Sequence, residues 1–340
     1  MLPVFLLVGC GRIGNRHAAI IAQQATLLAV CDIDEIKAAA LAAMYSVPAF
    51  TTYKEMLQAF PQATAVAICT PNGLHASQTI AALNNGLHVL CEKPMALTTA
   101  DCNAMLQAAT NNKKHLFVVK QNRYNPPVAA VKKLLEENRL GKILSIQLSC
   151  FWNRNNDYYS NSWKGTRDMD GGTLFTQFSH FIDLLYWMFG DVEMIQAIIG
   201  NSHHQGVIDF EDNGMVVLAF NNGIIGTINY TVNAYQKNME GSLSIFGEKG
   251  TIKIGGQYLN ELEYQSIENY VIPALPKGNT ANLYGDYQGS MSNHAQVYQQ
   301  VITTLLQSNE AATTNSFEAL KTVEIIERIY KVAVNQSKGL

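Results

Sequence analysis

A glycine-rich segment near the start of the chain has the residue types needed to bind a phosphate group. Gly9, Gly11 and Gly14 form the pattern G-x-G-x-x-G, with Arg12 and Ile13 inside it. The first glycine permits a tight turn, the second lets the main chain approach a pyrophosphate, and the third lets a helix pack against the preceding strand. Free amides at the start of that helix attract the anion. The segment therefore predicts a dinucleotide phosphate site.

Asp32 follows the next apolar run and supports this prediction. A carboxylate at the end of the second strand can accept hydrogen bonds from both hydroxyls of the adenosine ribose, and it repels a 2′-phosphate. No arginine follows Asp32 within several residues. The pattern favours NAD over NADP, and a role for Asp32 in a turn alone does not explain its combination with the glycine motif.

Two further segments follow predicted strands and carry polar groups. The first includes Thr70, Pro71, Asn72 and His75, and the second is Glu92-Lys93-Pro94. Ligands of open α/β sheets bind beyond the carboxyl ends of the strands, which is where both segments are expected. Taken alone, Glu92 and Lys93 are better explained as a surface ion pair beside a turn proline.

A segment in the second half of the chain contributes a histidine. It runs from Asp170-Gly171-Gly172 through Thr176 to His180 and Asp183. The spacing predicts one helix over Gly172–Phe189, with Thr176, His180 and Asp183 on one face. An imidazole titrates near neutral pH and can accept a proton from a reacting hydroxyl. The alternative is a core histidine hydrogen-bonded to Asp183.

Together these motifs resemble the Gfo/Idh/MocA oxidoreductases over nearly the whole chain. The resemblance implies a catalytic pair in which Lys93 contacts the reacting hydroxyl and His180 accepts its proton, and it implies a cis bond before Pro94. The residues expected near NAD are Gly9, Gly11, Arg12, Ile13, Gly14, Asp32, Thr70, Pro71, Asn72, His75, Glu92, Lys93 and Gln121. Many relatives have an aspartate four residues before the histidine, where this chain has Thr176. That difference weakens an interpretation as an inositol or glucose dehydrogenase.

The stretch from Phe151 to Thr166 combines aromatic rings with cationic side chains. Such a set suits a ligand with stackable faces and negative charge, although a structural loop with solvated charges is the alternative. The stretch is similar to one branch of the family, the WlbA/WbpB-like UDP-N-acetyl-glucosaminuronate 3-dehydrogenases of surface polysaccharide synthesis, which oxidise the sugar 3-hydroxyl ahead of amination. The expected substrate contacts are Lys93, Asn122, Arg123, Arg154, Tyr158, Tyr159, Trp163, Lys164, Thr166, Thr176, Gln177 and His180. For residues 121–123, a hinge packed by polar side chains is an equal alternative.

The elements that must position these residues fall into two halves. Up to residue 121, five unbroken apolar runs alternate with helical stretches, which predicts a doubly wound, parallel Rossmann sheet covered on both faces. From residue 122 to residue 340, runs of alternating polarity predict an α+β domain with a large, mostly antiparallel open sheet. The first expected strand of this sheet covers Leu144–Trp152, and the last covers Glu261–Gln265. The sequence of residues 268–292 does not predict a particular secondary structure.

Composition limits the partners. The chain has 340 residues, 24 Lys and Arg against 27 Asp and Glu, and a net charge of −3, so neither nucleic acid nor an anionic membrane is expected to bind. Six cysteines without metal-ligand spacing favour free thiols and the cytoplasm. No metal is expected, because His203, His204, Asp209, Glu211 and Asp212 are predicted to form a solvated loop. The resemblance implies a homodimer or homotetramer. A dehydrogenase of free sugars or polyols and a non-catalytic, NAD-bound sugar sensor are the alternative functions.

Overall fold

The computed structural model describes residues 2–160, 162–283, 288–307 and 315–337. Two compact units divide the chain: the first contains Met1–Val119 and His294–Val323, and the second contains Lys120–Asn293 and Glu324–Leu340. This grouping differs from the predicted single boundary after residue 121, because the chain returns to the first unit at His294.

A parallel six-stranded sheet forms the centre of the first unit, with the strand order β3-β2-β1-β4-β5-β6. The strands are β1 (Val4–Val8), β2 (Thr26–Cys31), β3 (Ala49–Phe50), β4 (Ala65–Ile68), β5 (His88–Cys91) and β6 (Leu116–Val118). The helices between them are α1 (Arg12–Gln24), α2 (Glu35–Tyr45), α3 (Tyr53–Ala59), α4 (His75–Asn84) and α5 (Thr99–Asn111). The predicted Rossmann fold is confirmed; the short strand β3 was not predicted.

The order of the strands explains where a ligand can bind in this unit. The chain runs outward from β1 through β2 to β3 and then crosses to β4 on the other side of β1. Such a switch point leaves a crevice beyond the carboxyl ends of the two central strands. Gly9 follows β1 and Thr70 follows β4, so two of the predicted cofactor segments begin at this edge.

An open seven-stranded sheet forms the second unit, with the order β13-β12-β11-β7-β10-β9-β8. Its strands are β7 (Ile143–Phe151), β8 (Val192–Gly200), β9 (Asn213–Phe220), β10 (Ile225–Thr231), β11 (Glu240–Gly247), β12 (Gly250–Gly255) and β13 (Glu261–Ile267). The pair β7 and β10 is parallel, and the other neighbours are antiparallel. The expected mostly antiparallel sheet is confirmed.

The alternation predicted for β7 is present at the centre of the strand but not toward its ends, because Leu144 is exposed and Ser149 is buried. Ile146 and Leu148 are buried, whereas Gln147 between them is exposed. On the open face of the sheet, neighbouring strands present Ile198 and Met215, which are paired across β8 and β9 and are 69% and 67% exposed. One face of the sheet is thus a dry core, and the other carries apolar side chains in solvent.

The prediction of one helix over Gly172–Phe189 is wrong. The segment forms α8 (Thr173–Thr176) and α9 (Ser179–Phe189), separated at Gln177 and Phe178. Gly172 has a φ of +142°, and a Cβ there would lie 2.2 Å from the Tyr330 hydroxyl. The chain is therefore fixed before α8 by close packing, and Thr176 does not share a continuous helix with His180.

The remaining helices are α6 (Pro126–Glu136), α7 (Asn156–Tyr159), α10 (His294–Gln307) and α11 (Ser316–Ser337). The segment without a clear signal contains a strand pair, β14 (Ala281–Leu283) with β15 (Gln288–Met291). Within the described residues, no helix combines the length and the apolar character needed to cross a membrane.

The expectation of a solvated loop around His204 is wrong for three of its five residues. His204, Glu211 and Asp212 are buried, and His203 and Asp209 are exposed. The Asp212 carboxylate accepts main-chain hydrogen bonds from this loop and contacts His204 Nδ1 at 3.2 Å. A buried carboxylate that satisfies several N–H groups organises the turn from inside, which no local sequence pattern reveals.

Candidate active site

The glycine loop has the geometry that a pyrophosphate requires. Gly9 has a φ of +93°, and a Cβ on it would lie 2.5 Å from the Cys69 carbonyl oxygen. A Cβ on Gly14 would lie 1.8 Å from the Gly9 carbonyl oxygen, whereas one on Gly11 would meet nothing within 4 Å. No side chain caps the start of α1. Packing thus requires the first and third glycines, and the second leaves open space beside uncapped helix amides.

The Asp32 carboxylate supports the same loop from β2. Its Oδ2 accepts a hydrogen bond from the Cys10 amide at 2.7 Å, and its Oδ1 accepts one from the Asp34 amide at 2.9 Å. Each carboxylate oxygen has a second lone pair, so contacts to ribose hydroxyls remain possible. The structure therefore adds a positioning role to the ligand contact predicted from the sequence.

His75 joins the two predicted strand-end segments. Its ring is fully buried, with Nδ1 2.7 Å from the Pro94 carbonyl oxygen and Nε2 3.0 Å from the Thr70 carbonyl oxygen. Burial lowers the pKa of His75, so the ring is neutral and donates to one carbonyl at a time. The Lys93-Pro94 bond is cis, as the resemblance implied. His75 thus holds the loops together, a task that its prediction as a cofactor contact did not include.

Glu92 is buried and engaged on both oxygens. Its Oε2 accepts a hydrogen bond from the Lys93 amide at 3.0 Å. Its Oε1 lies 2.9 Å from His17 Nε2 and 3.2 Å from His294 Nε2. Sequence reasoning predicted a cofactor contact for Glu92 and missed both histidines. The position of His17, one helical turn after the glycine motif, was the available signal.

In the second unit, the predicted residues Gln121 and His180 come together. Gln121 Nε2 lies 3.1 Å from His180 Nε2 and donates to Ser290 Oγ at 3.0 Å. Among the described residues, Gln121 Oε1 and both amide atoms of Asn122 are buried without a hydrogen-bond partner. Buried polar atoms of this kind are costly unless a ligand or water satisfies them, so both amides are candidates for ligand contacts.

The Asp183 carboxylate binds two cations from the segment before α6. Arg123 donates to it from Nε at 2.8 Å and from Nη2 at 2.7 Å, and Lys120 forms a second ion pair with it. Burial opposes the ionisation of Asp183, but the two cations lower its pKa below the usual range. Arg123, predicted as a substrate contact, therefore neutralises the buried Asp183 carboxylate. Asp183 in turn forms ion pairs with Arg123 and Lys120.

The Arg154 side chain is buried, and its guanidinium is hydrogen-bonded to other groups of the protein. Its guanidinium donates to Gln177 Oε1 at 2.8 Å, to Asn238 Oδ1 at 3.2 Å and to the Gln288 carbonyl oxygen at 3.4 Å. Gln177 in turn donates to the Tyr158 hydroxyl at 2.8 Å. Arg154 and Gln177, both predicted substrate contacts, thus form a network that orients Tyr158.

The other predicted substrate residues differ in exposure. The ammonium of Lys164 lies 4.5 Å from the centre of the Tyr158 ring, and both side chains are half-buried, as is Trp163. Thr166 is exposed. Tyr159 is 4% exposed and packs against Ile208 and Phe210. The Thr176 hydroxyl hydrogen-bonds to the Asp170 carboxylate. A cation above an aromatic ring at the protein surface is a suitable contact for an anionic, stackable ligand.

Family comparisons agree with both units. Residues 4–120 match the oxidoreductase family with an NAD-binding Rossmann fold, and residues 128–253 match the GFO/IDH/MocA C-terminal domain. The chain belongs to the Gfo/Idh/MocA oxidoreductase family. This Gfo/Idh/MocA member is accordingly an NAD-binding oxidoreductase.

Solved and curated relatives of this Gfo/Idh/MocA chain include sugar dehydrogenases. The WlbA dehydrogenase of Bordetella pertussis, crystallised with NADH and UDP-GlcNAcA, is 34% identical with a TM-score of 0.87, covering 99% of this chain and 98% of that one. Levoglucosan dehydrogenase of Pseudarthrobacter phenanthrenivorans is 30% identical over 226 residues, 60% of this chain and 58% of the relative. Inositol 2-dehydrogenase of Salmonella typhimurium is 24% identical over 254 residues, 73% of this chain and 72% of the relative.

Proposed function

We propose that this protein oxidises a secondary hydroxyl of a nucleotide sugar with NAD, and that its substrate is a UDP-N-acetyl-hexuronate oxidised at C3 in surface polysaccharide synthesis. The observation that carries the proposal is the similarity, over nearly all of both chains, to a WlbA dehydrogenase that binds NADH and UDP-GlcNAcA. Lys164 above the Tyr158 ring supports it, because this contact suits an anionic ligand.

The residues at the glycine loop fit NAD. The open space at Gly11 and the uncapped amides of α1 would receive the pyrophosphate. Asp32 would accept hydrogen bonds from the adenosine ribose and would repel the additional phosphate of NADP. NAD, when bound, supplies the hydride acceptor for the reaction.

The oxidation of an alcohol also requires a proton acceptor and a cation that stabilises negative charge on the reacting oxygen. We assign the first role to His180 and the second to Lys93. With Gln121 donating to its Nε2, His180 carries its own proton on Nδ1 and presents an unprotonated nitrogen. That neutral form is the one a general base needs. Among the predicted substrate contacts, Asn122 has an unsatisfied buried amide that a sugar hydroxyl or carboxylate would pair with.

The second candidate function is the oxidation of a free sugar or polyol. The curated relatives favour it, since they include levoglucosan and inositol dehydrogenases. Against it, this chain has Thr176 four residues before His180, where many relatives have an aspartate, and the Thr176 hydroxyl hydrogen-bonds to Asp170.

Single-turnover assays separate these functions. Protein in excess of substrate is mixed with NAD and UDP-N-acetylglucosaminuronate, and the absorbance of the reduced nicotinamide is followed. UDP-N-acetylglucosamine, in which a hydroxymethyl group replaces the carboxylate, is the matched control, and inositol and levoglucosan test the alternative. Of these four compounds, we expect only UDP-N-acetylglucosaminuronate to reduce NAD. Turnover only of inositol or levoglucosan would refute the proposal, and binding without any reduction would favour a sugar sensor.

A further inference from the structure

Four buried side chains of the first unit form a hydrogen-bonded cluster that we call the Glu92 cluster: His17, Glu92, His294 and Tyr298. Their exposed fractions are 0%, 5%, 2% and 0%. The Tyr298 hydroxyl lies 2.8 Å from His17 Nδ1, and both imidazole Nε2 atoms contact Glu92 Oε1. None of these contacts belongs to the glycine loop or to the Asp32 carboxylate.

The hydrogen bonds identify the donors to the central carboxylate. An ionised carboxylate can only accept, so His17 donates to Glu92 from Nε2, and its Nδ1 contacts the Tyr298 hydroxyl at 2.8 Å. His294 donates from Nε2 to the same oxygen. Burial opposes the ionisation of Glu92, but the two imidazoles hold its pKa well below the usual range, and burial lowers the pKa of His294. The cluster is therefore one buried carboxylate that accepts hydrogen bonds from two imidazole rings.

The second oxygen of Glu92 links this cluster to Lys93, because Oε2 accepts the Lys93 main-chain N–H at 3.0 Å. His17 lies on α1, the helix that begins at the glycine loop, and His294 and Tyr298 lie on α10. One carboxylate thus ties the main chain at Lys93 to two helices of the same unit.

We propose that His17, His294 and Tyr298 are positioning residues that hold Glu92, and through it the main chain of Lys93, in the orientation needed for catalysis. The inference rests on the role of Lys93 in the proposed function. It assigns to Glu92 a task within the protein, since both of its oxygens are already engaged there.

A metal ion is the competing explanation for this cluster. Two imidazole nitrogens and one carboxylate oxygen lie within 4.8 Å of one another, and such a set can ligate zinc. The hydrogen bonds already use both Nε2 atoms and the shared oxygen, whereas His294 Nδ1 is buried without a hydrogen-bond partner among the described residues. Metal analysis of the purified protein distinguishes the two: stoichiometric zinc or another transition metal would overturn the inference.

Glu92→Gln is the sharpest variant. Its amide oxygen can still accept from both imidazoles, but its NH2 group then faces the Lys93 N–H, and two donors oppose each other. We expect kcat to fall roughly 10- to 100-fold while the KM for NAD changes less than about twofold, because the reacting groups are displaced and the glycine loop is intact. Equal losses in kcat and in NAD affinity would overturn the inference.

His17 and Tyr298 provide graded tests. His17→Gln keeps an N–H donor for Glu92 and should retain most of kcat, whereas His17→Leu should resemble Glu92→Gln. Tyr298→Phe removes only the hydroxyl that contacts His17 Nδ1, so it should fold and should lower kcat less than His17→Leu. Wild-type kcat in His17→Leu would contradict the proposal.

Hydrogen exchange gives a readout that does not depend on turnover. The Lys93 amide should exchange roughly tenfold or more faster in Glu92→Gln than in the wild type, because its carboxylate acceptor is lost. Unchanged exchange would refute the positioning role even if the protein oxidises no sugar. Faster exchange in a protein without turnover would instead refute the proposed function and leave the structural link intact.

Discussion

Nε2 of His180 lies 3.1 Å from the side-chain amide nitrogen of Gln121, whose other hydrogen bond goes to Ser290 Oγ. An amide N–H can donate only to an unprotonated ring nitrogen, so this contact selects the neutral imidazole with its proton on Nδ1. A substrate hydroxyl that approaches Nε2 would take the place of the Gln121 contact. The site thus holds the candidate base in its reactive state before substrate arrives.

The first prediction tests the assigned base and cation. His180→Asn and Lys93→Met should each lower single-turnover oxidation by about 10²- to 10⁴-fold, because one loses the proton acceptor and the other loses the stabilising charge. The affinity for NAD, measured by fluorescence titration, should remain close to that of the wild type. Turnover at the wild-type rate in both variants would show that neither residue takes part in the chemistry.

The second prediction concerns Gln121. In Gln121→Glu, a carboxylate beside the ring favours protonated His180, which cannot accept a proton. The acidic limb of the kcat/KM profile should therefore move to higher pH by about one unit. Ser290→Ala, which removes the other partner of the same amide, is the control and should move the limb much less. An identical profile in Gln121→Glu would rule out His180 as the titrating base.

The candidate residues of the first unit and those of the second differ in how far the sequence predicts them. The glycine loop and Asp32 are local motifs at strand ends, so their spacing alone locates them in the Rossmann fold. Ser290 reaches Gln121 from a segment without a local signal, across a separation of 169 residues. Such a contact depends on the tertiary fold, which the hydrophobic pattern of a short segment does not encode.

Buried polar side chains are a second feature that the sequence does not resolve. Arg154 and Arg123 have the composition of anion-binding residues, but their charges are used inside the protein by Gln177 and by Asp183. The sequence shows the residue type and not its partner, so a cation that organises a loop looks the same as one that binds a ligand. The break between α8 and α9 falls at Gln177 and Phe178, and the Gln177 side chain is hydrogen-bonded to Arg154. That contact also depends on the tertiary fold.

The third prediction concerns the choice of cofactor. Asp32→Ala should weaken NAD binding by roughly tenfold and NADP binding much less, because the variant loses the ribose contacts and also the repulsion of the 2′-phosphate. Part of the loss will come from the Cys10 amide, which Asp32 holds. Asp32→Asn, which can still accept that hydrogen bond, is the control for this effect. Isothermal titration with both nucleotides measures the ratio, and an unchanged ratio would remove the assigned role.

The fourth prediction concerns subunit association. We expect the open face of the second sheet to pair with another copy in a homodimer or homotetramer, because it exposes Ile198, Met215 and Ile225 on adjacent strands. Met215→Glu should reduce the mass measured by light scattering. Ile36→Glu, at an exposed apolar residue of α2, is the matched control and should not. A wild-type monomer, or an unchanged mass in Met215→Glu, would contradict the prediction.

The last prediction concerns Glu211, which is buried beneath α8. Its Oε1 accepts hydrogen bonds from Tyr330 at 2.7 Å and Tyr230 at 3.3 Å, and its Oε2 has no partner among the described residues. Burial raises the pKa of Glu211 from 4.5 to about 7, despite these hydrogen bonds. The folded state therefore keeps a proton that the unfolded state releases above pH 4.5, so this residue contributes stability at acidic pH that is lost as the pH rises through 7.

Glu211→Gln removes this titration and keeps an oxygen for both tyrosines. Its free energy of unfolding in urea should exceed that of the wild type by on the order of 1 to 3 kcal/mol at pH 8 and should approach it at pH 5. Glu261→Gln, at an exposed carboxylate of β13, controls for the general effect of removing a charge. A difference of the same size at both pH values would show that the carboxylate is not protonated in the folded protein. Because Tyr330 also accepts the Leu174 amide at 3.1 Å, a charged Glu211 should loosen the start of α8 before the whole unit unfolds.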